Sequence, residues 1–268
     1  MFYLLRYAEI GLKGKNRAFF ERLLIRNLKK LGKELVIRKV QGRILVQSES
    51  KLDFKRVFGL ASYSPAVKTK PDPVSIAEKA VSLRPKLGKF RVSCQRVDKR
   101  IPLRSIRVEK EVGSLLAQQG GVVDLKNFDT EIFVELVDGS AFVFVEKVAC
   151  FGGLPVGSQS RVGVLLRSAR DVLAGLLALK RGCSLLPIRY GFVDAGLLER
   201  FGAEPAVKLD DLDGLDKILD KNGCLLLYSG MPFDGLSDIS VNVPVVMPLV
   251  FYSEEEIETE LSVFEGVA

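Results

Sequence analysis

Residues 161–182 read RVGVLLRSARDVLAGLLALKRG, and this stretch decides the fold of the last third of the chain. RVGVLL is a continuous apolar run of strand length, RSAR is a polar turn, and DVLAGLLALK has helical character before Gly182 closes it. The outline is a strand–loop–helix unit, in which a helix N-terminus meets a turn and its free N–H groups can hold an anion. The turn carries no glycine. Ser168 and Asp171 stand at capping-box spacing, so the chain's own side chains can satisfy those N–H groups.

Downstream, CSLLPIRYGFV (183–193), GCLLLYSG (223–230) and VPVVMPLV (243–250) are further strand-like runs separated by helical ones. Such alternation predicts a parallel α/β layer. Ser253 and Glu256 form a second capping box ahead of a final acidic helix. Upstream, FGGLPVGSQS (151–160) is rich in Gly, Pro and Ser and marks a domain boundary. The C-terminal domain therefore covers 151–268.

The first 150 residues differ in charge. They hold 30 Lys/Arg against 16 Asp/Glu, a net +14, whereas 151–268 hold 10 against 17, a net −7. That division points to a basic, polyanion-binding half joined to a different module. FYLLRYAEI reads as a strand and GLKGKN as a turn. Asn16 stands at an N-cap position before an amphipathic helix with Phe20, Leu23, Leu24, Leu28 and Leu31 inside and Arg17, Arg22, Arg26, Lys29 and Lys30 outside. Two strands turning at Gln41-Gly42, a short helix over 51–60 and a strand at 63–69 complete a ferredoxin-like order over 1–70. A second unit, 71–150, opens with Pro73 at the start of a helix and ends in a hairpin turning at Asp138-Gly139. The expected fold class is thus α/β together with α+β.

Composition excludes several chemistries. There is no histidine, and Cys94, Cys150, Cys183 and Cys224 are far apart in sequence. A zinc site or a histidine-based triad is not expected, and the cysteines read as buried structural thiols. No apolar run reaches the ~18–20 residues of a membrane span, and MFYLLRYAEIGLKGK has no basic n-region or cleavage site. A cytoplasmic protein with no membrane partner is expected.

The densest cationic stretch is RVSCQRVDKRIPLRS (91–105), a strand running into a loop with Arg91, Arg96, Lys99, Arg100 and Arg104. Arginines there can grip phosphates in pairs of hydrogen bonds, giving backbone-directed, salt-sensitive nucleic-acid binding. The loop has few aromatics, which argues against a base-stacking platform.

RYAEIGLKGKNRAFFERLLIRNL, RVDKRIPLRSIRVEKEVGSLL followed by VVDLKNFDTEIFVEL, and FGGLPVGSQSRVGVLL occur in that order. Together they resemble the tRNA 4-thiouridine synthases (ThiI-type), over essentially 1–182. The resemblance implies a ferredoxin-like domain (1–70), a THUMP RNA-binding domain (71–150) and a truncated Rossmann-like, PP-loop domain (151–268). It also implies a tRNA partner. Lys13, Lys15, Asn16 and Arg17, with Arg91, Arg96, Lys99, Arg100 and Arg104, are the expected phosphate contacts. In the family, ATP adenylates a uridine carbonyl oxygen and a cysteine persulfide supplies the sulfur.

The chain departs from that pattern at its opening stretch. The family's loop Ser-Gly-Gly-x-Asp-Ser aligns with Arg167, Ser168, Ala169, Arg170, Asp171 and Val172. Only the aspartate is kept, so a degenerate ATP site is expected. The downstream Ser-Gln-Thr of the family is replaced by GLSDIS, and no cysteine stands in the context of the family's sulfur carrier. A sulfur-donor protein is therefore a candidate partner. The alternative is a divergent but active sulfurtransferase, with ATP held by Leu165, Leu166 and Gly230 backbone groups plus Arg167, Arg170 and Asp171. A third reading is an oligomeric scaffold, with a homodimer formed through LLALKRGCSLLP (176–187).

Overall fold

The computed structural model describes residues 1–32, 34–40, 42–84, 86, 88–232 and 239–267. The chain groups into two compact units. One is 1–7, 32–52 and 62–149; the other is 8–31, 53–61 and 150–268.

The first unit is built on a nine-stranded sheet. Its strands are β1 (Phe2–Tyr7), β2 (Val36–Val40), β3 (Arg43–Gln47), β4 (Leu60–Thr69), β5 (Lys89–Arg96), β6 (Val122–Val123), β7 (Thr130–Val137), β8 (Ser140–Phe144) and β9 (Val148–Ala149). Spatial order is β2-β3-β1-β4-β8-β7-β5-β6, with β9 paired to β4. Strands from both halves of the basic region thus share one sheet. Helices α2 (Pro73–Leu83) and α3 (Ser105–Gln118) belong to this unit. Asp72 caps α2 through Ser75 N–H at 2.9 Å, with Pro73 in the first turn. Ile76, Ala80, Val108, Val112 and Leu116 pack on Phe90, Val92, Ile132 and Val134. The Asp138-Gly139 hairpin forms with φ of 51° and 69°, the left-handed pair that a tight two-residue turn requires.

Alternate residues of β7 face the other way. There Glu135, 3% exposed, accepts from Arg6 Nη2 at 2.6 Å and Arg43 Nε at 2.8 Å. Arg6 also donates to Ser64 Oγ at 3.1 Å and lies 5.1 Å from the centre of the Phe144 ring. The carboxylate ties β1 and β3 to β7.

The second unit contains α1 (Arg17–Lys29) and a parallel sheet of β10 (Arg161–Leu166), β11 (Ser184–Arg189), β12 (Val207–Lys208), β13 (Leu227–Tyr228) and β14 (Val245–Val246). The order is β12-β11-β10-β13-β14, all pairs parallel. Chain order reverses on either side of β10, the doubly wound pattern. Helices α4 (Ala169–Lys180), α5 (Gly196–Arg200), α6 (Leu215–Lys221) and α7 (Glu254–Glu265) complete it. Both faces of β10 are covered. Val162, Val164 and Leu166 pack with Leu173, Leu176, Leu198 and Phe264, and Leu165 packs with Leu186, Leu219 and Leu227. That burial explains the unbroken apolar run in its sequence. At Gly163 a Cβ would lie 2.6 Å from Leu219 Cδ2, so glycine there allows α6 to approach the strand.

Several expectations are corrected. Residues 51–59 form loop and turns, not a helix, and Leu60 opens β4. Asp53 Oδ1 accepts Lys55 N–H at 2.9 Å in a side-chain-closed turn, and Gly59 takes φ +101° against Pro155. Phe54 and Phe58 are nevertheless buried. Asn16 precedes α1 but makes no side-chain cap; two 3-10 turns, Glu9–Leu12 and Gly14–Asn16, lead into the helix instead. β13 and β14 are two-residue strands, shorter than their apolar runs. Leu176, Leu179, Cys183, Leu185 and Leu186 are buried in the domain's own core, so 176–187 does not offer the apolar face expected of a dimer contact. Gln41 and most of GLSDIS lie outside the described residues. Among the described residues no helix is long and apolar enough to cross a membrane.

Candidate nucleic-acid interface and switch-point turn

In a doubly wound sheet, ligands bind beyond the carboxyl ends of the strands where chain order reverses. Here that place is the turn Arg167–Ser168 between β10 and α4, beside the end of β13. The Asp171 carboxylate, 1% exposed, fills it. Its Oδ2 accepts from Arg167 N–H and Ser168 N–H, each at 3.0 Å, and from the Ser168 hydroxyl at 3.1 Å. Its Oδ1 accepts from Gly230 N–H at 2.8 Å and, at a longer 3.5 Å, from the Ser229 hydroxyl. Three backbone donors of the kind that cradle a phosphate thus converge on one internal carboxylate.

The other expected nucleotide contacts are also engaged. Gly230 C=O accepts from Arg170 Nε at 2.8 Å, and Arg170 further donates to Leu249 C=O at 3.1 Å and Glu254 Oε1 at 2.5 Å. Arg170 therefore braces α4 against the segments around Gly230, Leu249 and Glu254 and is not free to be the ATP contact that the alternative reading expects. Leu166 C=O accepts from Tyr190 N–H at 3.1 Å, and Leu165 sits in the sheet with its side chain buried. A Cβ on Gly230 would lie 2.3 Å from the Arg170 carbonyl carbon, so glycine is what allows the segment after β13 to touch the first turn of α4. Arg167 is the exception: its Nε is buried with no hydrogen-bond partner.

In the first unit, β5 delivers the chain to the loop 97–104. Val97 and Asp98 N–H groups both reach Leu136 C=O at 2.9 Å. Asp98, 1% exposed, accepts from Arg100 N–H at 3.0 Å and from Arg100 Nε and Nη2 at 2.9 Å each. Lys99, Arg100 and Arg104 are exposed. Arg104 occupies the N-cap position of α3 without a side-chain cap, so the helix presents its electropositive end beside them. Arg96 and Arg91 play other parts. Arg96 Nη2 holds Lys99 C=O at 2.5 Å, while Arg91 pairs with Glu131 at 2.7 Å and stacks 4.2 Å from the centre of the Phe128 ring. The buried Asp98 anchor was missed from sequence, although Asp98-Lys99-Arg100 has the spacing of an aspartate-closed turn.

The remaining candidates belong to the second unit. Lys15 and Asn16 are exposed, Lys13 lies 5.3 Å from the centre of the Phe20 ring, and Arg17 pairs with the buried Glu21 at 2.8 Å.

All four cysteines are unpaired. Burial pushes the Cys94 and Cys150 thiols up to about 12, and burial raises Cys183 and Cys224 as well. Cys183 and Cys224 are buried as the sequence leads one to expect, whereas Cys94 and Cys150 are half-buried; a raised thiol is a poor nucleophile. Among the described residues no cluster of acidic and cysteine side chains could hold a metal.

Comparison with known proteins agrees with this architecture. The ThiI ferredoxin-like domain matches residues 2–64, and the THUMP domain matches 74–146. A probable tRNA sulfurtransferase of Thermococcus kodakarensis is 34% identical over 69% of this chain and 54% of its own length. One from Brevibacillus brevis is 36% identical over 70% of this chain and 51% of its own length. The chain thus spans about half the length of these curated relatives. The crystal structure of PH1313 from Pyrococcus horikoshii superposes with a TM-score of 0.84 at 29% identity, covering 98% of this chain and 99% of that one. A 4-thiouridine synthetase solved as an RNA complex with bound ATP gives a TM-score of 0.82 at 23% identity, covering 98% and 84%, and so shares the fold. Ferredoxin-like and THUMP domains followed by a mixed α/β domain of PP-loop type define the class of protein. The chain belongs to the ThiI-type tRNA sulfurtransferase family.

Proposed function

We propose that this chain is a tRNA-binding member of its family in which ordinary ATP-dependent adenylation of uridine is lost or strongly altered, acting in or alongside tRNA thiolation. Its domains are 1–70 (ferredoxin-like), 71–150 (THUMP) and 151–268 (degenerate PP-loop-like). The observation that carries RNA binding is the loop 97–104, where a buried aspartate fixes the backbone and Lys99, Arg100 and Arg104 stand exposed on the segment that leads into the uncapped N-terminus of α3. Lys13, Lys15, Asn16 and Arg17 supply further backbone contacts. Arg96 shapes the loop through Lys99 C=O, while Arg91, paired with Glu131, adds a further cation on β5.

For ATP the fit is poor: Asp171 already occupies the N–H groups of Arg167, Ser168 and Gly230, and Arg170 is spent on carbonyls and Glu254. With every cysteine disfavoured as a thiolate, a persulfide in this system belongs on a separate, cytoplasmic sulfur-donor protein. The second reading, a divergent active sulfurtransferase, is favoured by one observation, the unpartnered Arg167 Nε at the turn.

The test is tRNA binding as a function of salt, with and without Lys99→Ala, Arg100→Ala and Arg104→Ala combined. Each phosphate contact removed should lower the magnitude of the log–log salt slope by about one. An unchanged slope and affinity would remove this loop from the interface. An ATP-induced rise in melting temperature would favour the second reading.

A further inference from the structure

The second unit contains a cleft unrelated to the switch-point turn. It has a volume of about 370 Å³, between the C-terminal end of α1, the segment 56–58, Val156 and residues 199–202. That volume lies at the small end of the ~300–1,000 Å³ typical of ligand pockets, suited to a single small ligand.

Three cations line the cleft: Lys30, Arg56 and Arg200. Among the described residues none of the three has an ion-pair partner. Lys30 ends a row on α1, Arg22, Arg26 and Lys30, spaced four residues apart and therefore on one face; all three are exposed. The lining carboxylate, Glu199, is engaged by Ala206 N–H at 3.0 Å. The neutral polar group, Asn27, donates Nδ2 to Val156 C=O at 3.0 Å, leaving its Oδ1 as an acceptor. Between them the accessible apolar surface comes from the half-buried Leu31 and Val156, backed by the buried Val57, Phe58 and Phe201. Phe58 and Phe201 are held rigidly, with ring centres 5.4 Å apart in a four-phenylalanine cluster that includes Phe151 and Phe264.

Unneutralised arginines call for an anion with several oxygens, which their forked donors match better than a lysine does. A rigid apolar wall and a neutral acceptor call for a flat organic body attached to that anion. We propose that this cleft binds a nucleoside monophosphate group, either free or as the last residue of an RNA strand. The phosphate would meet Arg56 and Arg200, and the base would lie on the apolar wall. The RNA source rests on the function proposed above, whereas the free-nucleotide source does not.

The experiment titrates the full chain with AMP, with inorganic phosphate, with a blunt RNA hairpin and with the same hairpin bearing a single-stranded tail. The proteins are wild type, Arg56→Ala, Arg200→Ala and the double variant, with melting curves to confirm folding. AMP should bind more tightly than phosphate, and the double variant should weaken it about tenfold or more, the loss expected for charge-assisted contacts. If the ligand is an RNA end, the tail raises hairpin affinity in wild type and the variants lose that increment. If it is a free nucleotide, AMP binds while the tail adds nothing. The blunt hairpin reports on the loop 97–104 and should be nearly unaffected by the cleft variants, which separates failure of this proposal from failure of RNA binding itself. The proposal is overturned if folded variants bind both AMP and tailed hairpin as wild type does, or if wild type shows neither AMP binding nor a gain from the tail.

Discussion

Replacing Asp171 with Asn tests whether the switch-point turn is closed by an internal anion. Both oxygens of the buried carboxylate are used, Oδ2 toward Arg167 and Ser168 N–H and Oδ1 toward Gly230 N–H. An amide of the same size can serve one side. Its NH2 group must then face a donor on the other. Leaving one buried N–H unpaired costs about 1–3 kcal/mol, and the remaining hydrogen bonds lose the charge that strengthens them, so a total of about 2–4 kcal/mol is expected. Asp171→Ala frees all three backbone donors and should cost about 3–6 kcal/mol, less where water enters. Against the ~5–15 kcal/mol that keeps a typical domain folded, either change is large. The assay is urea unfolding followed by tyrosine fluorescence and circular dichroism. The chain has no tryptophan, and Tyr190 and Tyr228 flank β10. The loss should fall on the transition of the second unit. An Asp171→Asn midpoint within about 0.5 kcal/mol of wild type would show that the carboxylate does not hold the turn.

Glu135→Ala leaves Arg6 and Arg43 without their shared carboxylate and should destabilise the first unit by about 3–5 kcal/mol, read as a lower urea midpoint. For the thiols, Cys94 and Cys150 should resist iodoacetamide at pH 8 in the native protein and react quickly once it is unfolded, because burial holds both near 12. The sign of the linked stability follows. A thiol whose folded value is raised contributes stability that is intact below the ordinary value near ~8.5 and is lost as pH climbs toward 12. Rapid native labelling of either cysteine would contradict this.

Much of this molecule was readable because its signals are local. The capping-box spacing at 168–171 announced the helix start, and the unbroken run RVGVLL announced a strand buried on both faces, as Asp138-Gly139 announced a hairpin. What could not be read depends on distant partners. Phe54 and Phe58 have the spacing of a helical face, and only the structure shows Gly59 turning against Pro155 to break it. Glu135 looks like an ordinary strand carboxylate until β1 and β3 bring Arg6 and Arg43 to it from 129 and 92 residues away. Arg170 reads as a candidate ATP contact, and only the fold brings Gly230, Leu249 and Glu254 to it. The cations of the cleft come from three separate segments, and no spacing rule joins Lys30, Arg56 and Arg200.

The same turn allows a sharper test of what became of the ATP site. A phosphate and the Asp171 carboxylate would compete for the N–H groups of Arg167, Ser168 and Gly230, and the carboxylate is tethered in place. An ATP phosphate entering there must displace interactions worth about 2–4 kcal/mol, which weakens its affinity by roughly 30- to 1,000-fold. The two readings therefore predict opposite signs for one substitution. If Asp171 is a competitor, a folded Asp171→Ala protein binds phosphate or ATP more tightly than wild type does. If Asp171 is a ligand-supporting residue of a working site, the same change abolishes binding. Isothermal titration of both proteins with ATP, at a urea-free temperature where circular dichroism shows the variant folded, distinguishes them. Tighter binding places the lost chemistry in the self-capped turn itself, and abolished binding would refute the competition and return the site to catalysis.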